Sequence, residues 1–329
     1  MSGASAEHQE HRPALSVLML SWNTRELTLA ALDSIYEHPC AGGLEVVVLD
    51  NASSDGSAAA IAERFPQAIL VESPTNLGYG PGNNAAFNRS SGAAVLLLGS
   101  DTLVKAGTLD TLLTCLDDYP EAGAVTCRVE GPTGYPEGTC LGFPRLRDLV
   151  ALYLSQPRWA SHLPGPEFDH GATQVVQQVS GTCLMLRRKL IKRIGLFDEA
   201  YKILYTDVEL CGRVHDAGCD IVYTGETAIV HYGSQSCVQA TGVVRTTMYQ
   251  DIARYCRAHF GRRSLAVMLP ILAGRLALVN RGRGVLELLG PSTFEQAPGS
   301  VFGGTKLGGR FAKTGMAGRL LEDRSREPR

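Results

Sequence analysis

The chain has 329 residues, 44% of them hydrophobic, and a formal net charge of -2. That suits one large or two small globular domains with ample core, and the near-neutral charge removes any global argument for nucleic-acid binding. Nine cysteines, an odd number with no Cys-x-x-Cys pair, argue for reduced thiols in a reducing compartment and against a disulfide frame or a zinc site.

Residues 1–13 are polar, lack the apolar core of a signal peptide, and are expected to be disordered. No run of about 18 apolar residues predicts a membrane span, so a cytoplasmic protein is expected. In that compartment the sequons at Asn51 and Asn88 are incidental. Leu15–Leu20 reads as a first buried strand ending at Ser21-Trp22-Asn23. Thr24 is placed to cap a following helix with Leu27, Ala31 and Ile35 on one face. A second strand, Leu44–Leu49, ends at Asp50-Asn51. The polar loop 53–57, a helix over Ala58–Phe65 and a short strand, Ala68–Val71, follow. Asn76–Asn84 is a glycine-rich loop entering a helix. Ala93–Leu98 then reads as a strand buried on both faces that delivers Ser100 and Asp101 to its carboxyl end. A competing reading makes Asp101 the cap of a helix starting near Val104.

Strand and helix alternate four times in about 100 residues, which implies βαβ units, an α/β fold and a mostly parallel sheet. Parallel strands would set Trp22-Asn23, Asp50-Asn51 and Ser100-Asp101 along one rim, where ligands bind in open α/β sheets. The first turn, Ser21-Trp22-Asn23-Thr24, carries no glycine, and no Gly-Lys-Ser/Thr loop exists, so the common dinucleotide and ATP cradles are disfavoured. A carboxylate such as Asp50 suits a base or ribose, and one such as Asp101 suits a divalent cation that neutralises a diphosphate.

The segment Leu15–His231 resembles the family 2 inverting glycosyltransferases, and within them the bacterial rhamnosyltransferase-like enzymes of cell-surface polysaccharide assembly. The matching pieces are Ser21-Trp22-Asn23, Val48–Ser57, Asn76–Gly80, Asn83-Asn84, Leu97–Thr102, Val179–Gly181, Gly195–Glu199, Asp207–Arg213 and His231–Ser236. They span about two thirds of the chain, and their order and spacing together carry the specificity. The resemblance implies a GT-A fold over 14–236, with helices on both faces of the sheet. It also implies a nucleotide diphosphate sugar donor (dTDP-, UDP- or GDP-linked) and a saccharide or polyprenyl-linked acceptor. Donor contacts would come from Ser21, Asn23, Asp50, Asn76, Gly78, Asn83, Ser100 and Asp101, with Asp50 reading the base. Asp101 matches the last carboxylate of the family's Asp-x-Asp signature, whose first position here is Gly99. His231 matches a residue that completes the shell of a divalent cation, Mg2+ or Mn2+.

Asp207 matches the family's catalytic base, the carboxylate that takes the proton of the attacking acceptor hydroxyl. It also heads an amphipathic segment, so a helix N-terminal acid is the structural alternative. Thr206 stands where many members carry Glu. Asp198 and Glu199 are expected to fix a loop. Residues 129–178, rich in Pro and Gly, are read as an irregular insertion, with Trp159 an acceptor contact or part of a satellite core. Gly181 is expected to let substrate approach the backbone.

Residues 241–283 hold eight Arg and one acid, Asp251, a net +7. Thr246–Phe260 has helical spacing, and Leu265–Val279 is strongly apolar around Pro270 and Arg275. This C-terminal helical extension, 237–289, is read either as docking on an anionic membrane at the inner face of the plasma membrane, or as a hairpin packed on the catalytic domain or on a second copy in a homodimer. Residues 290–329 are expected to form a flexible tail. The single carboxylate of the Asp-x-Asp site and Thr206 leave a second functional reading, a non-catalytic nucleotide- or glycan-binding module. A sugar-nucleotidyltransferase is disfavoured, because no Gly-rich Lys/Arg loop follows the first strand.

Overall fold

In the strand Ala94–Gly99, Leu96 and Leu98 enter one apolar cluster and Val95 and Leu97 another. That two-sided burial is what a strand covered by helices on both faces requires. The computed structural model describes residues 12–154, 168–233, 242–279 and Leu288. In chain order the elements begin β1 (Leu15–Ser21), α1 (Arg25–Glu37), β2 (Leu44–Asp50), α2 (Ser57–Arg64), β3 (Ile69–Glu72), α3 (Tyr79–Phe87) and β4 (Ala94–Gly99). They continue with β5 (Thr102–Val104), α4 (Thr108–Asp118), β6 (Ala122–Glu130), β7 (Cys140–Leu141), α5 (Leu146–Tyr153), β8 (Gln174–Val176) and β9 (Gln178–Val179). The last are β10 (Cys183–Arg187), α6 (Arg188–Ile194), α7 (Thr206–Asp216), β11 (Asp220–His231), α8 (Gly242–Phe260) and α9 (Arg263–Val279).

Among the described residues the main sheet runs β3-β2-β1-β4-β10-β6-β11-β5, with β8 also on β11, and β7 pairs with β9 in a small second sheet. The first four strands are wholly parallel. Beyond them the sheet is mixed, because β10 lies antiparallel between β4 and β6 while β6 and β11 are parallel. Helices α1, α2 and α4 cover one face, and α3, α6 and α7 the other. A third apolar cluster joins α5, α8 and α9 with Tyr201.

Several expectations shift. Thr24 precedes α1 without a side-chain cap; its hydroxyl lies 3.1 Å from that of Thr28 and 3.2 Å from that of Ser100. The buried face of α1 is Thr28, Leu29, Ala31, Leu32 and Ile35, while Leu27 is half-buried. Asp101 caps no helix: β5 follows it, paired with β11, and α4 begins only at Thr108 after Gly107 in the left-handed region. The described residues of the region 129–178 are less irregular than its composition implies, holding the end of β6 together with β7, α5 and β8.

The C-terminal extension does form two helices, joined across Gly261 (φ 75). They pack through Ile252, Tyr255, Cys256, Met268 and Leu272 against Leu149 and Tyr201. This is the packing of a hairpin on the catalytic domain. Trp159, Ser234–Ser236, the boundary at 236/237, residues 1–11 of the N-terminal segment and the tail 290–329 lie outside the described residues.

Candidate active site

Parallel register carries the first half of the site. Ser21 pairs with Asp50 across β1 and β2, and Leu20 with Gly99 across β1 and β4, so three strands end level. The antiparallel β10 starts at this rim, where the Gly99 N–H donates to the Thr182 carbonyl at 3.0 Å. β11 ends there, His231 pairing with Thr102. A cleft opens above the rim, lined on one side by Asn51, Asn76, Gly78 and Asn83 and on the other by Ser100, Asp101, Gly181, Asp207 and His231.

Asn51 ties the glycine-rich loop to β2. Its Oδ1 accepts from the Leu77 N–H at 2.7 Å, and its Nδ2 donates to Asn76 Oδ1 at 2.9 Å and to the Gly78 carbonyl at 3.3 Å. Gly78 sits at φ 87, and a Cβ there would come within 2.5 Å of the Lys202 carbonyl oxygen. That carbonyl accepts from the Tyr79 N–H at 2.6 Å. Glycine is required here by both the backbone conformation and the close approach. Asn83 Nδ2 donates to the Tyr79 carbonyl at 2.9 Å.

Asp50 is buried. Its Oδ1 accepts from the Ser53 N–H at 2.9 Å, while its Oδ2 is buried with no hydrogen-bond partner. An orphaned buried carboxylate oxygen is costly, and a ligand donor is the usual resolution at a site. Ser21, Asn23 and Asp50 itself are not among the residues that line the cleft, although Asn51 beside Asp50 is. The Ser21 hydroxyl lies 3.1 Å from that of Thr28, and Asn23, at φ 50, accepts from the Ser54 N–H at 2.8 Å. They shape the rim around Asp50.

Asp101 and His231 meet, with Oδ1 and Nε2 3.5 Å apart. The other ring nitrogen, Nδ1, donates to Glu137 Oε2 at 2.8 Å. Burial pulls the imidazole pKa down, but the hydrogen bonds to Asp101 and Glu137 outweigh it and lift the pKa to about 9. Glu137 escaped the sequence reading because it sits in the Pro- and Gly-rich stretch with no motif around it; only the fold brings it to His231. A carboxylate on the far nitrogen is the usual way a metal-binding imidazole is oriented. Among the described residues no group of three or more His, Cys, Asp or Glu is placed to share an ion. Two protein ligands, with substrate phosphates supplying the rest, suit Mg2+ or Mn2+ all the same. A Cβ at Gly99 would lie 3.0 Å from Asp101 Oδ1, so any side chain at the first signature position would crowd the remaining carboxylate.

Asp207 follows Tyr205, which takes the left-handed φ of 61 and turns the chain into α7. Its Oδ2 accepts from the Gly181 N–H at 3.1 Å and its Oδ1 from the Val208 N–H at 2.9 Å. Burial raises the carboxyl above the ordinary range, and these N–H groups draw it part of the way back. The residue is an acid of the first turn of α7, as the structural alternative has it, and it also lines the cleft beside Gly181. Gly181 lines the cleft as expected, but its missing side chain admits the Tyr79 ring: a Cβ there would lie 2.6 Å from the Tyr79 hydroxyl, which donates to the Gly181 carbonyl at 2.8 Å. Glu209 forms an ion pair with Arg213 at 2.6 Å. Asp198 and Glu199 do fix the loop, accepting from the Ala200 N–H and from Asn84 Nδ2.

The C-terminal helices complete the site, which no local pattern announced. Val244 of α8 lines the cleft and packs with Trp22, Ile203 and Met248. Asp251, almost fully buried, accepts from the N–H groups of Ile203 at 2.8 Å, Leu204 at 3.0 Å and Lys202 at 3.2 Å. The loop before Asp207 is thus held from both sides, by Tyr79 and by Asp251. Burial pushes the Asp251 carboxyl up to about 6, against the pull of those N–H groups and of Arg254.

The sequence profile of glycosyl transferase family 2 matches residues 16–195, and the chain belongs to that family. It is a glycosyltransferase with the GT-A fold. An N-acetylglucosaminyl-diphospho-decaprenol L-rhamnosyltransferase of Mycobacterium tuberculosis is 27% identical over 227 residues, covering 64% of this chain and 72% of the relative. An O-antigen biosynthesis protein of Myxococcus xanthus is 28% identical over 232 residues, covering 68% of this chain and 18% of its own. A mannosyltransferase from Pyrobaculum calidifontis, solved with GDP-Man and Mn2+, superposes with a TM-score of 0.51 at 23% identity, covering 96% of this chain and 80% of that one.

A raised carboxyl pKa favours folding below the unfolded value, and that contribution is lost as pH rises through about 6. Between pH 4 and pH 7 the wild type should therefore lose about 2 kcal/mol of stability relative to Asp251→Asn, as read by denaturant unfolding at each pH.

Proposed function

We propose that the cleft binds a nucleotide diphosphate sugar and that Asp207 is the base for direct transfer of its hexose or deoxyhexose, with inversion, to a saccharide acceptor. The observation that carries this reading is the convergence of Asp101, His231 and Asp207 on one cleft from three distant parts of the chain. The acceptor oxygen attacks the anomeric carbon on the face opposite the diphosphate, and its proton passes to Asp207. A pKa lifted by burial suits that task, because a base works best when its proton affinity approaches the working pH. No second carboxylate is needed as acid, since the leaving group is a diphosphate whose charge is met by positive groups.

Asp101 and His231 would hold a divalent cation, which supplies charge neutralisation for the departing diphosphate. Asp50 reads the base: its Oδ2, which has no hydrogen-bond partner within the protein, is the acceptor left for a nucleobase or ribose donor once the turn beside Asn51 opens to the ligand. Asn51, Asn76, Gly78 and Asn83 shape the wall beside it. The acceptor is lipid-linked, and the sugar is rhamnose or a close deoxyhexose. The mycobacterial relative carries both features in its name, and the wall made by Trp22, Ile203 and Val244 is apolar, as a polyprenyl-linked substrate would meet. Thr206 in place of a second acid leaves the base role to Asp207 alone.

Three experiments test these roles. Asp207→Asn should lower transfer by about a hundredfold or more, while calorimetry finds nucleotide binding within about twofold of wild type; wild-type turnover would remove the assignment. Asp50→Ala should weaken nucleoside diphosphate binding about tenfold without abolishing turnover at saturating donor. EDTA should stop transfer and Mn2+ or Mg2+ restore it; undiminished transfer after chelation would remove the cation from the reading.

A further inference from the structure

The outward face of α9 (Arg263–Val279) is the part of the molecule that the transfer chemistry leaves unexplained. Ser264, Met268, Leu272 and Leu276 are buried on its inner side. At helical spacing opposite them, Ala266, Val267, Pro270, Gly274, Ala277 and Leu278 are exposed, Leu278 by 85% and Val267 by 47%. From Ala266 to Leu278 this stripe is about 18 Å long at 1.5 Å per residue. No polar side chain interrupts it: Arg275, the one charge in the middle of the helix, is turned inward and donates to the Tyr153 carbonyl at 3.0 Å. The Ser264 hydroxyl is likewise used inward, on the Cys256 carbonyl at 3.0 Å.

Charge decides what such a stripe meets. Arg257, Arg262 and Arg263 are exposed around the turn from α8 (Gly242–Phe260) into α9. The only acid from Gly242 to Val279 is Asp251, which is buried on the N–H groups of residues 202–204. A basic turn leading into a bare apolar stripe is the pattern of a helix lying in an anionic bilayer interface. Among the described residues no helix is long and apolar enough to cross a membrane, so the contact is in the plane of the surface.

We propose that the outer face of α9, with the arginines of the preceding turn, docks the enzyme on an anionic phospholipid bilayer. The proposal extends the lipid-linked acceptor reading by naming the surface on which that acceptor would be met. α8 connects the two places, since its Val244 lines the cleft and its Cys256 packs with Met268 of α9.

Vesicle flotation of the full chain tests this, comparing phosphatidylcholine vesicles with vesicles carrying about a third phosphatidylglycerol. Wild type should float with the anionic vesicles and far less with the neutral ones. Val267→Glu with Leu278→Glu should lower that partitioning about tenfold or more, because both changes place charge on the outward face that would enter the bilayer interface. Arg262→Glu with Arg263→Glu should lower it by a similar factor, each lost arginine being worth about fivefold. Nucleoside diphosphate binding and unfolding midpoints of both variants should match wild type, which separates failure of the surface from failure of the sugar-transfer reading. Equal flotation of wild type and variants, or no preference for anionic lipid, would overturn the proposal. So would a wild-type dimer that the stripe variant turns into a monomer, because a second copy would then cover the face.

Discussion

Parallel pairing of β1 with β2 and β4 constrains everything that happens in this enzyme. Parallel strands run the same way, so their carboxyl ends share one edge, and in-register pairing sets Ser21, Asp50 and Gly99 level along it. The helices that follow each strand must return to the opposite edge, which leaves this rim open to ligand. The antiparallel β10 enters the same rim from the other direction and brings Gly181 within reach of Asp207. A site assembled from strand ends is stiff because each end is held by a ladder buried on both faces.

The Lys202 peptide is the second point of control. Its carbonyl accepts from the Tyr79 N–H, and its own N–H goes to Asp251 on α8. The glycine-rich loop, the loop that leads to Asp207 and the C-terminal helices therefore meet at one residue. Gly78 allows the approach by having no Cβ, and Asp251 answers three backbone donors of the 202–204 loop. The C-terminal helices are thus a wall and a brace of the active site as well as a surface of their own. Movement of α8 would be felt at both Val244 and the approach to Asp207.

On the opposite wall, Asp101 and His231 stand 3.5 Å apart, with Gly99 two residues before the carboxylate. Glu137 orients His231 and leaves Nε2 turned toward Asp101. Gly99 keeps the space beside Asp101 clear.

The alternation of apolar strands with amphipathic helices in residues 15–101 determined the α/β class, the parallel first half of the sheet and the edge where chemistry would gather, because those patterns are local. The motif pieces carried Asp50, Asp101, Asp207 and His231 for the same reason. Glu137, Val244 and Asp251 were illegible, since each acts through residues far away in the chain: Glu137 on His231, Asp251 on residues 202–204, Val244 on Trp22 and Ile203. The helix-cap reading of Asp101 was likewise removed only in space. Local chemistry allowed a helix cap, but pairing of β5 with β11 left no helix there to cap. Residue type and spacing encode what a segment can become, whereas burial, which raises Asp207 and Asp251, exists only once distant segments close around them.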